Sequence, residues 1–217
     1  MATKENSKTE YTEDLLKQAT ILHKQGAIDQ AEALCNKILD TTPDNAWTLN
    51  LLGIIHCQSD RGEIGIKFIA RALRAMPKEA SFYNNFGTGL TNLGHHKDAI
   101  IAFKRALELK SDYAAAHNNI AAAFKALGNL SDAKKHYQNA VYLRPEFAEA
   151  WANLANVLID IGNIIDAENA ARKSIDLSPK YPAAQNSLGI ALHRRGLYSE
   201  SETCFRSAIE LCNHYPD

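Results

Sequence analysis

Three similar pentapeptides decide the fold: YNNFG at 83–87, HNNIA at 117–121 and WANLA at 151–155. Each places Asn inside a stretch with helical apolar spacing, although Asn is a poorer helix former than Ala by up to about 0.7 kcal/mol. Asn recurs every 34 residues in two series: Asn85, Asn119 and Asn153, and Asn50, Asn84 and Asn118. This spacing predicts an internal repeat.

Residues unrelated to Asn keep the same register. Small residues follow it at Ala19, Gly53, Gly87, Ala121, Ala155 and Gly189. Glycines break the middle of most units and prolines mark the end of several, as expected for turns between helices. The sequence predicts a polar disordered tail over residues 1–11, followed by six helix-turn-helix units: 12–45, 46–79, 80–113, 114–147, 148–181 and 182–215.

The pattern in the fifth unit is specific: Trp151, Leu154, Ala155, Leu158, Gly162, Ala167, Ala171, Ser174 and Pro179. It resembles the tetratricopeptide repeat (TPR) family. The resemblance implies an all-α fold, a right-handed α-solenoid of six 34-residue units, in which the first helix of each unit lines a concave groove. A single unit cannot bury its apolar face without its neighbour, so the units are expected to form one domain.

The polar residues of the first helices describe what this groove would offer to a protein or peptide partner. Those expected to face inward are Asn50, Asn84, Asn85, Thr88, Asn92, Asn118, Asn119, Lys125, Asn153, Asn156, Asp160 and Asn186. An amide both donates and accepts hydrogen bonds, so a row of Asn can pair with the peptide groups of an extended ligand whatever its side chains. The predicted groove is amide-rich and weakly charged.

Asn85, Asn119 and Asn153 resemble the asparagine ladder in the TPR region of O-GlcNAc transferases. That resemblance implies a peptide-binding role for them. The alternative is that these amides bond neighbouring helices or face water. Lys17, Leu51 and Ser187 occupy the equivalent places in the other units, so a ladder would have three rungs.

The last predicted helix carries apolar residues on one stripe that no further unit covers in this sequence. They are Phe205, Ala208, Ile209 and Cys212. Solenoids usually end with a polar capping helix, so we expect an association surface here, for a second copy or for another protein.

Composition excludes several classes of function. With 24 Lys and Arg against 25 Asp and Glu, the chain lacks the basic surplus of a nucleic-acid-binding protein. No apolar run approaches the length of a membrane span and no signal peptide is recognised, so a cytoplasmic location is expected. Catalytic motifs, cofactor-binding motifs and metal-ligand spacings are absent. The four cysteines are expected to be structural thiols, and the eight histidines to be solvated turn residues.

Three functions are consistent with this sequence. The first is a non-enzymatic scaffold that binds extended protein segments in the groove. The second is a substrate-recruiting module of a glycosyltransferase system, similar to that of O-GlcNAc transferases. The third is a self-assembling scaffold that coats an organelle, as bare TPR proteins coat magnetosomes.

Overall fold

The computed structural model describes the backbone of residues 2–214 and the side chains of residues 10–213. Residues 1–110 and 111–217 form two compact units. The first unit contains α1 (Ala2–Lys24), α2 (Ile28–Thr41), α3 (Ala46–Cys57), α4 (Gly62–Ala75), α5 (Ala80–Asn92) and α6 (His96–Leu109). The second contains α7 (Ala114–Ala126), α8 (Leu130–Leu143), α9 (Ala148–Asp160), α10 (Ile164–Leu177), α11 (Pro182–Arg194) and α12 (Tyr198–His214).

These twelve helices form six antiparallel pairs, one pair for each predicted repeat. The described residues contain no β-strand. The predicted all-α, six-repeat TPR solenoid class is therefore confirmed. We number the repeats 1 to 6 and call the two helices of each repeat its first and second helix.

The first helix, α1, begins at Ala2, within the segment predicted as a tail. Residues 2–11 contain neither Gly nor Pro and include Glu and Lys, which are good helix formers. The disordered tail over residues 1–11 stays a prediction.

The turn between the two helices contains a glycine in the left-handed backbone region in every repeat except the second. These glycines are Gly26, Gly94, Gly128, Gly162 and Gly196, with φ between 76° and 82°. Repeat 2 has Asp60 at this place, and its turn closes without a positive φ at any non-glycine residue. Its second helix nevertheless begins in step with the others, at Gly62.

Small residues allow the two helices of a repeat to approach closely. In repeat 2 a Cβ atom added to Gly65 would lie 2.6 Å from the carbonyl oxygen of Gly53. One added to Gly53 would lie 2.4 Å from Ile69 Cγ1. Larger side chains fill the space between repeats, as Tyr137 does in the second unit, where it is 2% exposed.

Candidate functional site

All of the predicted groove residues lie on the first helices α3, α5, α7, α9 and α11. Their exposure varies widely. Buried members are Asn50, Asn84 and Asn118; half-buried members are Asn85, Asn119, Lys125, Asn153 and Asn156; exposed members are Thr88, Asn92, Asp160 and Asn186. We refer to the Asn residues at the fifth and sixth places of repeats 2 and 3 as the amide face of the first unit, and to those of repeats 4 to 6 as the amide face of the second unit.

Two pairs of the amide face bond across successive repeats. In the first unit, Asn85 Nδ2 donates to Asn50 Oδ1 at 3.1 Å. In the second unit, Asn153 Nδ2 donates to Asn118 Oδ1, also at 3.1 Å. In both pairs the donor is the sixth residue of one repeat and the acceptor is the buried fifth residue of the repeat before it. The sequence left this alternative open.

These bonds orient the two donors without using all of their hydrogen-bonding capacity. Asn85 and Asn153 have no further side-chain partner among the described residues, so each retains its Oδ1 acceptor and its second N–H donor. Both side chains are half-buried and reach solvent. A peptide group has the complementary donor and acceptor.

Other predicted groove residues also bridge neighbouring first helices. Asn92 Nδ2 donates to the carbonyl of Cys57 at 3.3 Å, near the end of α3. In the second unit, Lys125 Nζ lies 3.1 Å from Asp160 Oδ2. There too Asn156 Oδ1 accepts from Ser187 Oγ at 2.7 Å.

Glutamates stabilise two further junctions, which the sequence analysis did not identify. Glu32 of α2 accepts both guanidinium hydrogen bonds of Arg61, at 2.8 and 2.6 Å. Glu168 of α10 accepts from Arg172, four residues on, at 2.9 Å and from Arg195 of the next repeat. The hydrogen bond from Arg61 lowers the pKa of Glu32. Burial raises the pKa of Glu168, but its two arginine partners outweigh that effect and hold it below the usual value.

Two histidines depart from the expectation of solvated turn residues. His56 is 6% exposed on α3 and stacks on Phe68, and His117 is 9% exposed on α7. His117 Nδ1 lies 2.9 Å from His136 Nδ1, and its Nε2 lies 3.2 Å from the carbonyl of Ser111. Burial lowers the pKa of both His56 and His117. His117 occupies the same place in its repeat as Tyr83 and Trp151, which are half-buried aromatic residues.

The predicted association residues line a cavity of about 510 Å³ between α11 and α12. Ala208 is 9% exposed, Phe205 is half-buried, and Ile209 is 61% exposed. Cys212 is exposed, whereas Cys35 is buried and the other two thiols are half-buried. A structural role was expected for all four cysteines, and the exposure of Cys212 does not fit it.

A second apolar cavity of about 500 Å³ was not anticipated. It lies in the first unit, where α4, α5 and α6 meet, and includes Leu73, Tyr83, Phe86 and Ile101. Ile101 is 67% exposed. The doublet Ile100-Ile101 is the sequence signal, because only Ile100 belongs to the buried stripe of α6.

Within the described part of the chain, no three or more His, Cys, Asp or Glu side chains are grouped in a way that suits a metal ion. The same residues include no helix with the length and apolarity needed to span a bilayer.

Three TPR family models, each described as tetratricopeptide repeat, match residues 80–113, 114–147 and 153–216, more than half of the chain. No curated protein matches the sequence. Among solved structures, MamA is similar with a TM-score of 0.66 at 24% identity, over 75% of this chain and 95% of MamA.

PilF of Pseudomonas aeruginosa has a TM-score of 0.81 at 14% identity, over 97% of this chain and 94% of PilF. A thermophilic TPR protein of Thermus thermophilus has a TM-score of 0.71 at 18% identity, over 88% and 99% of the two chains. These identities show a shared fold alone. Together with the matched family models and the six helix pairs, they show that the chain belongs to the tetratricopeptide repeat family, whose fold indicates a scaffold for protein–protein interaction.

Proposed function

We propose that the protein is a non-enzymatic scaffold that binds extended protein segments along the amide face of each compact unit. One observation carries this proposal. Asn85 and Asn153 are each held by a bond to the preceding repeat, yet each keeps a donor and an acceptor at the solvent side. Side chains that are already ordered lose little conformational entropy when a ligand binds.

The chemistry favours recognition of the ligand backbone over its side chains. A primary amide can donate to a peptide carbonyl and accept from a peptide N–H at once. The amide face has no net charge of its own, and the neighbouring Lys125 and Asp160 neutralise each other. A ligand recognised in this way would be extended and tolerant of sequence changes.

The test is a selection of random 12-residue peptides on the protein, followed by affinity measurements by fluorescence anisotropy. Replacing Asn85 and Asn153 together with Ala removes one donor and one acceptor for the peptide from each unit. Each hydrogen bond is worth about 0.5 to 1.5 kcal/mol, so the affinity of a segment bound to one unit should fall by about five- to 100-fold. N-methylation of the bound peptide's backbone should weaken binding more than Ala substitution of its side chains.

The matched control is the double variant Asn36→Ala with Asn169→Ala. Both residues are exposed Asn on second helices, one in each compact unit, so the chemical change is the same away from the amide face. Equal losses of affinity in the two double variants, or no loss in either, would contradict the proposal.

The same face could serve a substrate-recruiting module of a glycosyltransferase system, with the catalytic part on another chain. Copurification of a nucleotide-sugar enzyme from native lysate would favour that alternative. A self-assembling scaffold would instead show a molecular mass that rises with concentration in light scattering.

A further inference from the structure

The end of repeat 6 presents one continuous face, which we call the tail face. It comprises Asn186 of α11 and Phe205, Ala208, Ile209 and Cys212 of α12 around the 510 Å³ cavity. Asn186 is exposed and has no side-chain partner among the described residues. Equivalent residues in repeats 4 and 5 are covered by the first helix of the following repeat.

Repeat 4 has nearly the same residues at the equivalent places, but there they are covered. Tyr137, Ala140 and Val141 correspond to Phe205, Ala208 and Ile209, and Asn118 corresponds to Asn186. Tyr137, Ala140 and Val141 are at most 7% exposed and share a core with Ala150 and Val157 of α9. Asn153, on the same helix, donates to Asn118. The helix that covers such a face thus supplies small or apolar residues, an Asn that donates to Asn118, and Glu149, whose Oε1 accepts from Asn118 at 3.2 Å.

Within each unit, a buried Asn at the fifth place of one repeat accepts a hydrogen bond from an Asn at the sixth place of the next repeat. Asn50 and Asn118, the fifth residues of repeats 2 and 4, each bond an Asn that is the sixth residue of the next repeat. Repeat 5 has Ala152 at the fifth place, and the next repeat has Ser187 at the sixth. Repeat 6 again has an Asn at the fifth place, Asn186. We therefore expect the helix that covers repeat 6 to carry an Asn whose N–H donates to Asn186 Oδ1.

A charged pair gives independent information about the same face. Glu168 in repeat 5 and Glu202 in repeat 6 occupy the same place, and each bonds an Arg four residues on. Glu168 is also bonded by Arg195, near the end of the covering helix, and its side chain is 10% exposed. The side chain of Glu202 has only Arg206 and is 64% exposed. A covering helix with an Arg in the place of Arg195 would complete the pair.

The N-terminal helix of a second copy does not have these residues. Asp14 and Lys17 of α1 occupy the third and sixth places of repeat 1 and form an exposed ion pair at 3.2 Å. In the other repeats the third place is fully buried and is occupied by Thr48, Phe82, Ala116, Ala150 and Ala184. Burial of the Asp14 carboxylate against apolar residues would be unfavourable.

We propose that the tail face binds an amphipathic α-helix of another protein, and that this helix carries a recognisable pattern. Its central residue is an Asn that bonds Asn186. Small or apolar residues lie three before and four after that Asn, against Phe205 and Ile209. An Arg eight residues after the Asn pairs with Glu202, as Arg195 pairs with Glu168.

The probe is an acetylated, fluorescently labelled peptide of residues 181–196 that carries Ser187→Asn. It contains Ala184, Ala191 and Arg195 at the required spacings. Titration with the whole protein should raise its anisotropy in a saturable manner. The peptide with the unchanged Ser187 should bind about threefold to tenfold more weakly, and the peptide with Arg195→Ala about twofold to fivefold more weakly.

Variants of the protein show which of its residues contacts each side chain of the peptide. Asn186→Ala should bind the Asn and Ser peptides equally well, and Glu202→Ala should bind the Arg195 and Ala peptides equally well. Ile209→Lys should reduce binding at least tenfold, whereas Ile165→Lys should not change it. Ile165 is the matched control because it is 67% exposed on α10, outside the tail face, and neither Ile is needed for the core.

Absence of saturable binding by the folded wild-type protein would overturn the proposal. So would binding that survives Ile209→Lys, because the peptide would then occupy another surface. Concentration-dependent dimerisation that Ile209→Lys abolishes would also overturn it, since the occupant would be a second copy. Loss of segment binding in the Asn85 and Asn153 double variant concerns residues outside the tail face, which shares only Asn186 with the amide face, and leaves this result unaffected.

Discussion

In each compact unit, one junction between successive repeats has an Arg–Glu ion pair, which we call the charged junction, and one has an Asn–Asn hydrogen bond, which we call the neutral junction although repeats 4 and 5 are also joined by Lys125 and Asp160. In the first unit, repeats 1 and 2 are joined by Glu32 and Arg61, and repeats 2 and 3 by Asn50 and Asn85. In the second unit the order is reversed: Asn118 and Asn153 join repeats 4 and 5, and Glu168 and Arg195 join repeats 5 and 6. Apolar packing is common to all four junctions, so the polar contact is what makes each one distinct.

The two kinds of junction differ in what they leave for a ligand. The carboxylates of Glu32 and Glu168 are satisfied by two hydrogen bonds each, from one or two arginines. The donor amides of Asn85 and Asn153 retain an unused acceptor and an unused N–H. The Asn–Asn contacts therefore leave polar groups of the donor amides unused, and under the proposed function these groups bind the peptide.

The largest effect is expected from Glu168→Ala. This change removes a nearly buried carboxylate that two arginines bind, and it should lower the free energy of unfolding by about 2 kcal/mol. Glu202→Ala is the matched control, because the equivalent glutamate is 64% exposed and bonds only Arg206. Its effect should stay within about 0.5 kcal/mol. Urea denaturation followed by circular dichroism measures both, and equal losses would show that the junction contact is unimportant.

The second-largest effect on stability is expected from acidification, which should weaken the charged junctions. The pKa values of Glu32 and Glu168 are lowered in the folded state, so their stabilisation is present above the unfolded pKa of about 4.5 and is lost as pH falls through the lower folded values. Stability should therefore decline below pH 4.5, by at most about 1.4 kcal/mol per pH unit for each carboxyl. Glu168→Gln should reduce this slope and Asn85→Ala should not. An unchanged slope in Glu168→Gln would contradict the assignment.

Asn85→Ala should lower the free energy of unfolding by about 1 kcal/mol. The gain in helix propensity is at most about 0.7 kcal/mol, whereas the acceptor of buried Asn50 loses its partner at a cost of about 1 to 3 kcal/mol. Asn153→Ala should behave alike, because Asn118 is buried too. Asn36→Ala and Asn169→Ala, on exposed second-helix surfaces, should instead raise stability by a few tenths of a kcal/mol. Thermal or urea melts of the four variants test the opposite signs.

Salt should produce the smallest of these effects on the free energy of unfolding. Arg61 and Arg195 are partly exposed, so an increase from about 0.05 to 0.5 M KCl should screen the charged junctions and reduce the cost of Glu168→Ala by a few tenths of a kcal/mol. The cost of Asn85→Ala should not change with salt, because no charge is involved. Equal salt dependence of the two variants would show that the two junctions do not differ electrostatically.

The repeat register predicted the helix pairs, because turn glycines and small contact residues recur at fixed places along the chain. It also placed the Asn residues on the first helices. It did not predict the contacts that Glu32 and Glu168 make to the next repeat, because Arg61 and Arg195 lie 27 to 29 residues away and follow no helical spacing. A signal was present: the two glutamates are four repeat lengths apart, whereas the intervening repeats have Ile66, Ile100 and Lys134.

The sequence also did not decide between the two roles of the Asn rows. Periodicity identifies a shared face, but it does not show whether an amide bonds its neighbour or a ligand. That depends on distances between adjacent first helices, which only the structure supplies.

Cys212 gives the tail face a natural chemical reporter. Burial raises the pKa of the Cys35 thiol to about 12 and also raises the pKa values of Cys57 and Cys204. These three thiols are therefore poor nucleophiles near neutral pH, while Cys212 is exposed beside the cavity. A maleimide dye should label Cys212 first in the unmodified protein. The rate of that labelling then reports how much of the tail face is occupied, in purified protein or in a lysate, with no substitution anywhere in the chain.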